Sequence, residues 1–235
     1  MTKIQILAIC FLILWRKIFF DSLEENIRNN ITLVYKNIVN ENCEIRFDDI
    51  SGIIIGGSEY NLSAGNESYW IEKLKKYIFY AYANQLPLLG VCFGHQLIAE
   101  SFGGKIKNKR PRELGTVNIQ LTPEGKKDLL FKGFNQSIDV IMSHQDIVAD
   151  NSEIISSLAY NPFCNFQAIA VGKVLRGIQF HPDATKEKIE QQINRWHNEF
   201  RDEGINIDEV KKNLKDTPKA KLIFNNFANY YILKN

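Results

Sequence analysis

Residues 88–96 read Leu88-Leu89-Gly90-Val91-Cys92-Phe93-Gly94-His95-Gln96, an apolar run that meets one cysteine with a glycine two residues before it and another two residues after. Those types at that spacing are the pattern of a nucleophile elbow, the tight strand-to-helix turn that lifts a reactive side chain out of a sheet. The turn is strained, so a Cβ at Gly90 or Gly94 would meet the adjoining strand or helix. The N-terminus of the helix that follows presents N–H groups and positive potential, which favour a thiolate placed there. The chemistry indicated is attack by the Cys92 sulfur on an electrophilic carbon.

A sulfur nucleophile needs a base, an orienting group for that base, and donors for the oxyanion it creates. Among the four histidines, at 95, 144, 181 and 197, the best base is His181, in Gln179-Phe180-His181-Pro182-Asp183 at the end of an apolar strand. Residues two apart in an extended segment point the same way, so Asp183 lies on the His181 side and is placed to orient the imidazole, with Pro182 stiffening the pair. His144, in Ser143-His144-Gln145-Asp146, competes for the role; His95 rides on the helix behind Cys92 and aims elsewhere; His197 reads as a surface helix residue. Gly56-Gly57-Ser58 follows an apolar strand and offers backbone N–H groups that, with the N–H of Phe93, would form an oxyanion hole. Each piece alone has a plainer reading as a buried cysteine, a strand-end histidine or an ordinary glycine turn. Their combination carries the argument.

These groups require strands and helices in alternation. Lys3–Ile9 reads as a buried first strand, 22–39 as helix-like, 44–47 as a short strand and 52–55 as a strand ending at the glycine pair. Tyr69–Ala83 has helical periodicity, with Trp70, Leu74, Tyr77 and Ile78 able to share a face. Residues 87–91 then deliver Cys92, and Gly103-Gly104 close the helix after it. Residues 117–121, 138–142, 166–171 and 176–180 read as strands. Ile189, Ile193, Trp196 and Phe200 form one helical stripe, and a last helix opens with Thr217 as cap and Pro218 at its first position. The alternation implies an α/β fold with a mainly parallel central sheet covered on both faces, as one domain over residues 1–235.

Bulk properties narrow the function classes. The chain has 235 residues, 45% hydrophobic and 24% charged, with a formal net charge of +2. This is the composition of an ordinary globular protein, with no basic surplus that points to nucleic acid. The densest basic stretch, Lys105–Arg112, reads as a solvated loop. Cysteines at 10, 43, 92 and 164 have no metal-type spacing, so neither a metal nor a disulfide framework is expected. Ile4–Trp15 is almost wholly apolar and imitates a signal-peptide core, but it is short for a membrane span and no small-residue cleavage site follows. The expectation is a cytoplasmic protein that does not engage membranes.

Gly-Val-Cys-Phe-Gly-His-Gln at 90–96, the strand and glycine pair at 53–57, Ser-His-Gln-Asp at 143–146 and Gln-Phe-His-Pro-Asp at 179–183 together resemble the class I, triad-type glutamine amidotransferases. The likeness runs over nearly the whole chain and is nearest to the amidotransferase portion of GMP synthase and its stand-alone relatives. It implies that family's three-layer fold and hydrolysis of the glutamine amide without a cofactor. Cys92 would form a γ-glutamyl thioester, and His181, oriented by Asp183, would protonate the departing ammonia and then activate water. Gly57 and Phe93 would supply the oxyanion N–H groups. Gln96, with the backbone around Gln145 and Asp146, would hold the amino-acid end of the substrate. The chain departs from the family at Asp183, where Glu is usual, at Gln145, where Gly is common, and in the apolar segment 11–20.

The resemblance leaves three functions open. The chain is expected to lack room for a synthetase domain, so it is either the glutaminase subunit of a two-protein amidotransferase that feeds ammonia to a synthase, or a free-standing hydrolase of glutamine or another γ-glutamyl compound. The third is a binding or regulatory relative in which Asp183 marks a weakened triad. Substrate choice is expected to depend on the loops at 59–68 and 108–115.

Overall fold

The computed structural model describes residues 4–9, 21, 23–38, 46–65 and 68–233. Its strands are β1 (Ile4–Ile9), β2 (Ile31–Lys36), β3 (Ile50–Ile55), β4 (Leu88–Val91), β5 (Lys105–Leu121), β6 (Ser137–Asp150), β7 (Ile155–Tyr160), β8 (Ala168–Val171) and β9 (Leu175–Ile178). Among the described residues these form one nine-stranded sheet in the order β2-β1-β3-β4-β9-β8-β7-β5-β6. The five strands from β2 to β9 run parallel, and each pairing from there to β6 is antiparallel. The helices are α1 (Glu25–Asn30), α2 (Tyr69–Ala83), α3 (Phe93–Ser101), α4 (Pro123–Lys127), α5 (Lys186–Arg195), α6 (His197–Asp202), α7 (Ile207–Asn213) and α8 (Leu222–Phe227). No helix among the described residues is long and apolar enough to cross a membrane.

Parallel strands covered on both faces are written as unbroken apolar runs, and β3 shows why. Successive side chains face opposite ways, so Ile53 and Ile55 join Leu74, Ile78, Leu97 and Ile98 of α2 and α3, while Ile54 joins Ile27 of α1 and Phe224 and Phe227 of α8. This three-layer arrangement puts β4 inside the parallel group, between β3 and β9. The elbow after β4 and the glycine pair after β3 therefore open on the same rim of the sheet as the end of β9. A third apolar cluster, with Ile189, Ile193, Phe200 and Ile207, packs α5–α7 against Leu114 and Ile141 of the β5–β6 ribbon.

Several elements differ from the expectation. The helix expected over 22–39 is α1 followed by β2: Ile31 is buried and β2 pairs in register with β1, so sheet formation overrides helical periodicity at this edge. The basic stretch Lys105–Arg112 is not a loop but the start of β5, which pairs with β6 as far as Asn108 and re-enters register at Glu113. The residues between form a bulge, and their exposed charges hide the strand. β7 is a further strand beyond those expected. The stripe from Ile189 to Phe200 is two helices broken at Trp196. Thr217 accepts no capping bond; Pro218–Lys221 is a 3₁₀ turn that leads into α8. At 46–47 the chain is not in a strand, while residues 1–3, 10–20, 22, 39–45, 66–67 and 234–235, with the expectations that fall on them, lie outside the described residues.

The elbow explains its glycines. A Cβ on Gly90 would overlap the Gly94 carbonyl, and one on Gly94 would overlap the backbone oxygen of Ile55 in β3. Neither obstacle is a side chain that can turn away. Gly94→Ala is therefore expected to destabilise the chain by about 3 kcal/mol or more, the upper range for overpacking. Chemical denaturation checks this, and an unchanged midpoint would contradict it.

Candidate functional site

Cys92 stands between β4 and α3 with φ 52° and ψ −102°. A side-chain-bearing residue rarely adopts positive φ, and such strain persists only where the surroundings impose it. They do so here through hydrogen bonds: the Cys92 N–H donates to the Ile178 carbonyl of β9 at 2.8 Å, and its carbonyl accepts from the Gln96 N–H at 3.1 Å, the first bond of α3. Phe93 opens the helix, and its ring packs among Tyr60 and Trp70. The other described free cysteine, Cys164, is buried and donates to the Val148 carbonyl; burial pushes its thiol up to about 11, which suits a structural role.

His181 arrives from the end of β9, its N–H bonded to the Ile141 carbonyl at 2.9 Å. Gly57 marks where the three elements meet. A Cβ there would lie 3.1 Å from the His181 ring and 3.6 Å from the Cys92 Cβ. Burial alone would lower the His181 pKa, but the negative charge and hydrogen bonding of Cys92, joined by Asp183, outweigh it and push it up to about 10. The imidazole is thus held in its charged form beside the Cys92 sulfur. Asp183 is buried, and its Oδ1 stands 3.8 Å from His181 Nδ1, too far for a hydrogen bond, with no other partner. Burial works to raise its carboxyl, yet His181 and then Lys188 hold it below the usual range. The two groups keep a charge contact without a hydrogen bond.

The competing histidines are occupied elsewhere. His95 is fully buried on α3 against Gly177 of β9, and burial, aided by the charge of His144, lowers it to about 3. His144 has one ring nitrogen on Glu113 and the other on the Asp146 carbonyl, each at 3.0 Å. His197 is exposed at the start of α6.

A cavity of about 380 Å³ opens beside Cys92. Gln96, Gln145 and Asp146 line it, and so do Ser58, Glu59, Tyr60 and Asn61 from the loop after β3. The Asp146 carboxylate ties that loop down, accepting the Ser63 N–H at 2.9 Å, the Ser63 hydroxyl at 2.5 Å and the Asn108 amide at 3.1 Å. Its carbonyl accepts Gln96 Nε2 at 2.8 Å. The far wall goes beyond what the sequence indicates. Arg112 in the β5 bulge donates twice to Glu203 at 2.7 Å and lies over the Phe200 ring, and Gln192, Trp196 and Glu199 complete the wall. Arg112 holds the Glu203 carboxyl below its usual range. Residues 91 positions apart carry no local signal of such a pairing.

The family model for glutamine amidotransferase class-I matches residues 19–199. The chain belongs to that family. It is 31% identical over 141 residues to one subunit of the glutamine-hydrolysing GMP synthase of Methanothermobacter thermautotrophicus, covering 60% of this chain and 69% of that one. To the corresponding subunit of Pyrococcus abyssi it is 29% identical over 183 residues, covering 77% and 88%. Against the GMP synthase of Aliivibrio fischeri, at 34% identity over 149 residues, the match covers 63% of this chain and only 27% of the relative, so the chain spans about a quarter of that protein's length. Among solved structures, a Thermotoga maritima glutamine amidotransferase superposes with a TM-score of 0.76 at 18% identity over 99% of both chains. A Thermoplasma acidophilum protein described as a GMP synthase subunit gives 0.67 at 18%, over 97% and 94%. At such identity the structural likeness is one of fold, and that fold is the amidotransferase α/β fold.

The raised pKa of His181 has a definite sign. The charged ring stabilises the folded chain fully below its unfolded value near 6.5, and this contribution is lost as pH climbs through about 10. In Cys92→Ala the titration midpoint of His181, followed by NMR of the imidazole, is expected to fall well below about 10 because the sulfur charge is gone. A midpoint that does not move would contradict the role of the Cys92 sulfur in holding His181 charged.

Proposed function

We propose that the chain hydrolyses the side-chain amide of glutamine, or a related γ-glutamyl amide, through a covalent sulfur intermediate. Cys92 Sγ adds to the carbonyl carbon, and the N–H groups of Gly57 and Phe93 receive the oxyanion. The His181 imidazolium gives its proton to the departing nitrogen as the C–N bond breaks. Ammonia leaves, and a γ-glutamyl thioester remains on Cys92. The now neutral His181 takes a proton from water, whose oxygen attacks the thioester; glutamate departs and the sulfur returns to its charged form. Asp183 orients the imidazole, and Gln96 with the backbone at Gln145 and Asp146 holds the amino-acid end.

The observation that carries this reading is the convergence of Cys92, His181 and Gly57 at one rim of the sheet, with the imidazole held protonated by the sulfur. The likeness to individual subunits of GMP synthases supports a second protein, a synthase, as the acceptor of the ammonia. One observation favours a second reading, a weakened triad: the 3.8 Å gap at Asp183.

Ammonia release from glutamine tests both. Cys92→Ala and His181→Ala are expected to abolish it, in the chain alone and with its synthase. Asp183→Glu adds the methylene that the gap lacks and is expected to raise the rate by up to about tenfold, the worth of one restored charge-assisted bond. Ammonia release that survives in Cys92→Ala would overturn the mechanism. A lower rate in Asp183→Glu would show that Asp183 already fits its place.

A further inference from the structure

Behind the cavity wall lies a buried polar cluster that the mechanism does not use. His144 on β6 sits opposite Glu113 on β5, both nearly closed to solvent. The hydrogen positions follow from the partners. Asn161 Oδ1 accepts the backbone N–H groups of Phe163 and Cys164, so its Nδ2 is the atom that donates to Glu113 Oε1, at 2.6 Å. Gln167 Nε2 donates to Asn161 Oδ1 at 2.9 Å and to Glu113 Oε2 at 2.7 Å; the reversed amide would set its oxygen against two acceptors. Glu113 therefore accepts on both oxygens, and the Asp146 carbonyl can only accept. His144 Nδ1 therefore carries a hydrogen and donates to that carbonyl, while Nε2 is engaged by Glu113 Oε2, so neither ring nitrogen is open to a proton from Cys92.

The Asp146 carbonyl links this cluster to the cavity. It accepts His144 Nδ1 on one side and Gln96 Nε2 on the other, and the same Gln96 nitrogen donates on to Gln179 Oε1 at 3.1 Å. Phe163 closes over the His144 ring edge-on, with the Lys109 ammonium above the phenyl face. A buried polar network adds little net stability but enforces one geometry when every hydrogen bond is made.

We propose that Glu113 and His144 are positioning residues that set the part of the cavity receiving the amino-acid end of the substrate, His144 Nδ1–H fixing the Asp146 carbonyl and, through it, the Gln96 amide. This rests on the proposed γ-glutamyl substrate. The test uses the double variant E113Q/H144M, which replaces both ionisable groups together and so leaves no lone ion in the interior. On a Cys92→Ser background, calorimetric binding of L-glutamine should weaken about tenfold or more, the effect of losing one anchored contact. With Cys92 intact, the same double variant should react with iodoacetamide, which needs no amino-acid recognition, at the parent rate. Unchanged glutamine affinity overturns the proposal, and so does a joint fall in affinity and alkylation, which would mark a purely structural role. If binding weakens as expected but the parent chain forms no glutamate from glutamine, the positioning role stands and the proposed hydrolysis fails.

Discussion

The site depends on one constraint, the positive φ at Cys92. A residue with a side chain stays at 52° only because its N–H is bonded into β9, its carbonyl opens α3, and Gly90 and Gly94 allow strand and helix to close around it. The bond to the Ile178 carbonyl matters twice. It fixes the cysteine, and it ties β4 to the strand whose end delivers His181. The same strained turn thus brings Cys92 to the cavity beside the strand whose end carries the imidazole.

From that point the structure divides the work by layer. The apolar faces of β3 and β4 hold the rim in place by burial. The charge on His181 comes from Cys92 more than from Asp183, and that ordering gives the short acidic side chain at 183 its meaning. An imidazolium sustained by the sulfur survives a 3.8 Å gap to its carboxylate. The antiparallel half of the sheet serves differently: its long β5–β6 ribbon carries the Glu113–His144 pair, the Asp146 tether for the loop after β3, and the Arg112 bridge to Glu203.

Features set by local backbone physics are legible in the sequence. The helix at Tyr69–Ala83 has the boundaries its periodicity implies, and the elbow is readable because only glycine fits at 90 and 94. What depends on pairing across the fold is not. Residues 31–36 look compatible with a helix until β1 offers them a parallel partner, and the charges of Lys105–Arg112 conceal a strand because they face solvent beside a bulge. Asp183 is legible as a carboxylate near His181, but the 3.8 Å between them is set by the fold and carries no local signal. The far wall of the cavity, built from Arg112 and Glu203, joins segments that share no motif.

The claim that most needs a direct test is that Cys92 carries the γ-glutamyl group. The chain would be mixed with L-glutamine, quenched in acid within the first turnovers and digested, and its four cysteine peptides weighed. The account predicts a mass gain of one γ-glutamyl group on the Cys92 peptide alone, removed by hydroxylamine. Glutamate formed while the Cys92 peptide stays unmodified at every time point, or the adduct found on Cys10, Cys43 or Cys164 instead, would contradict it.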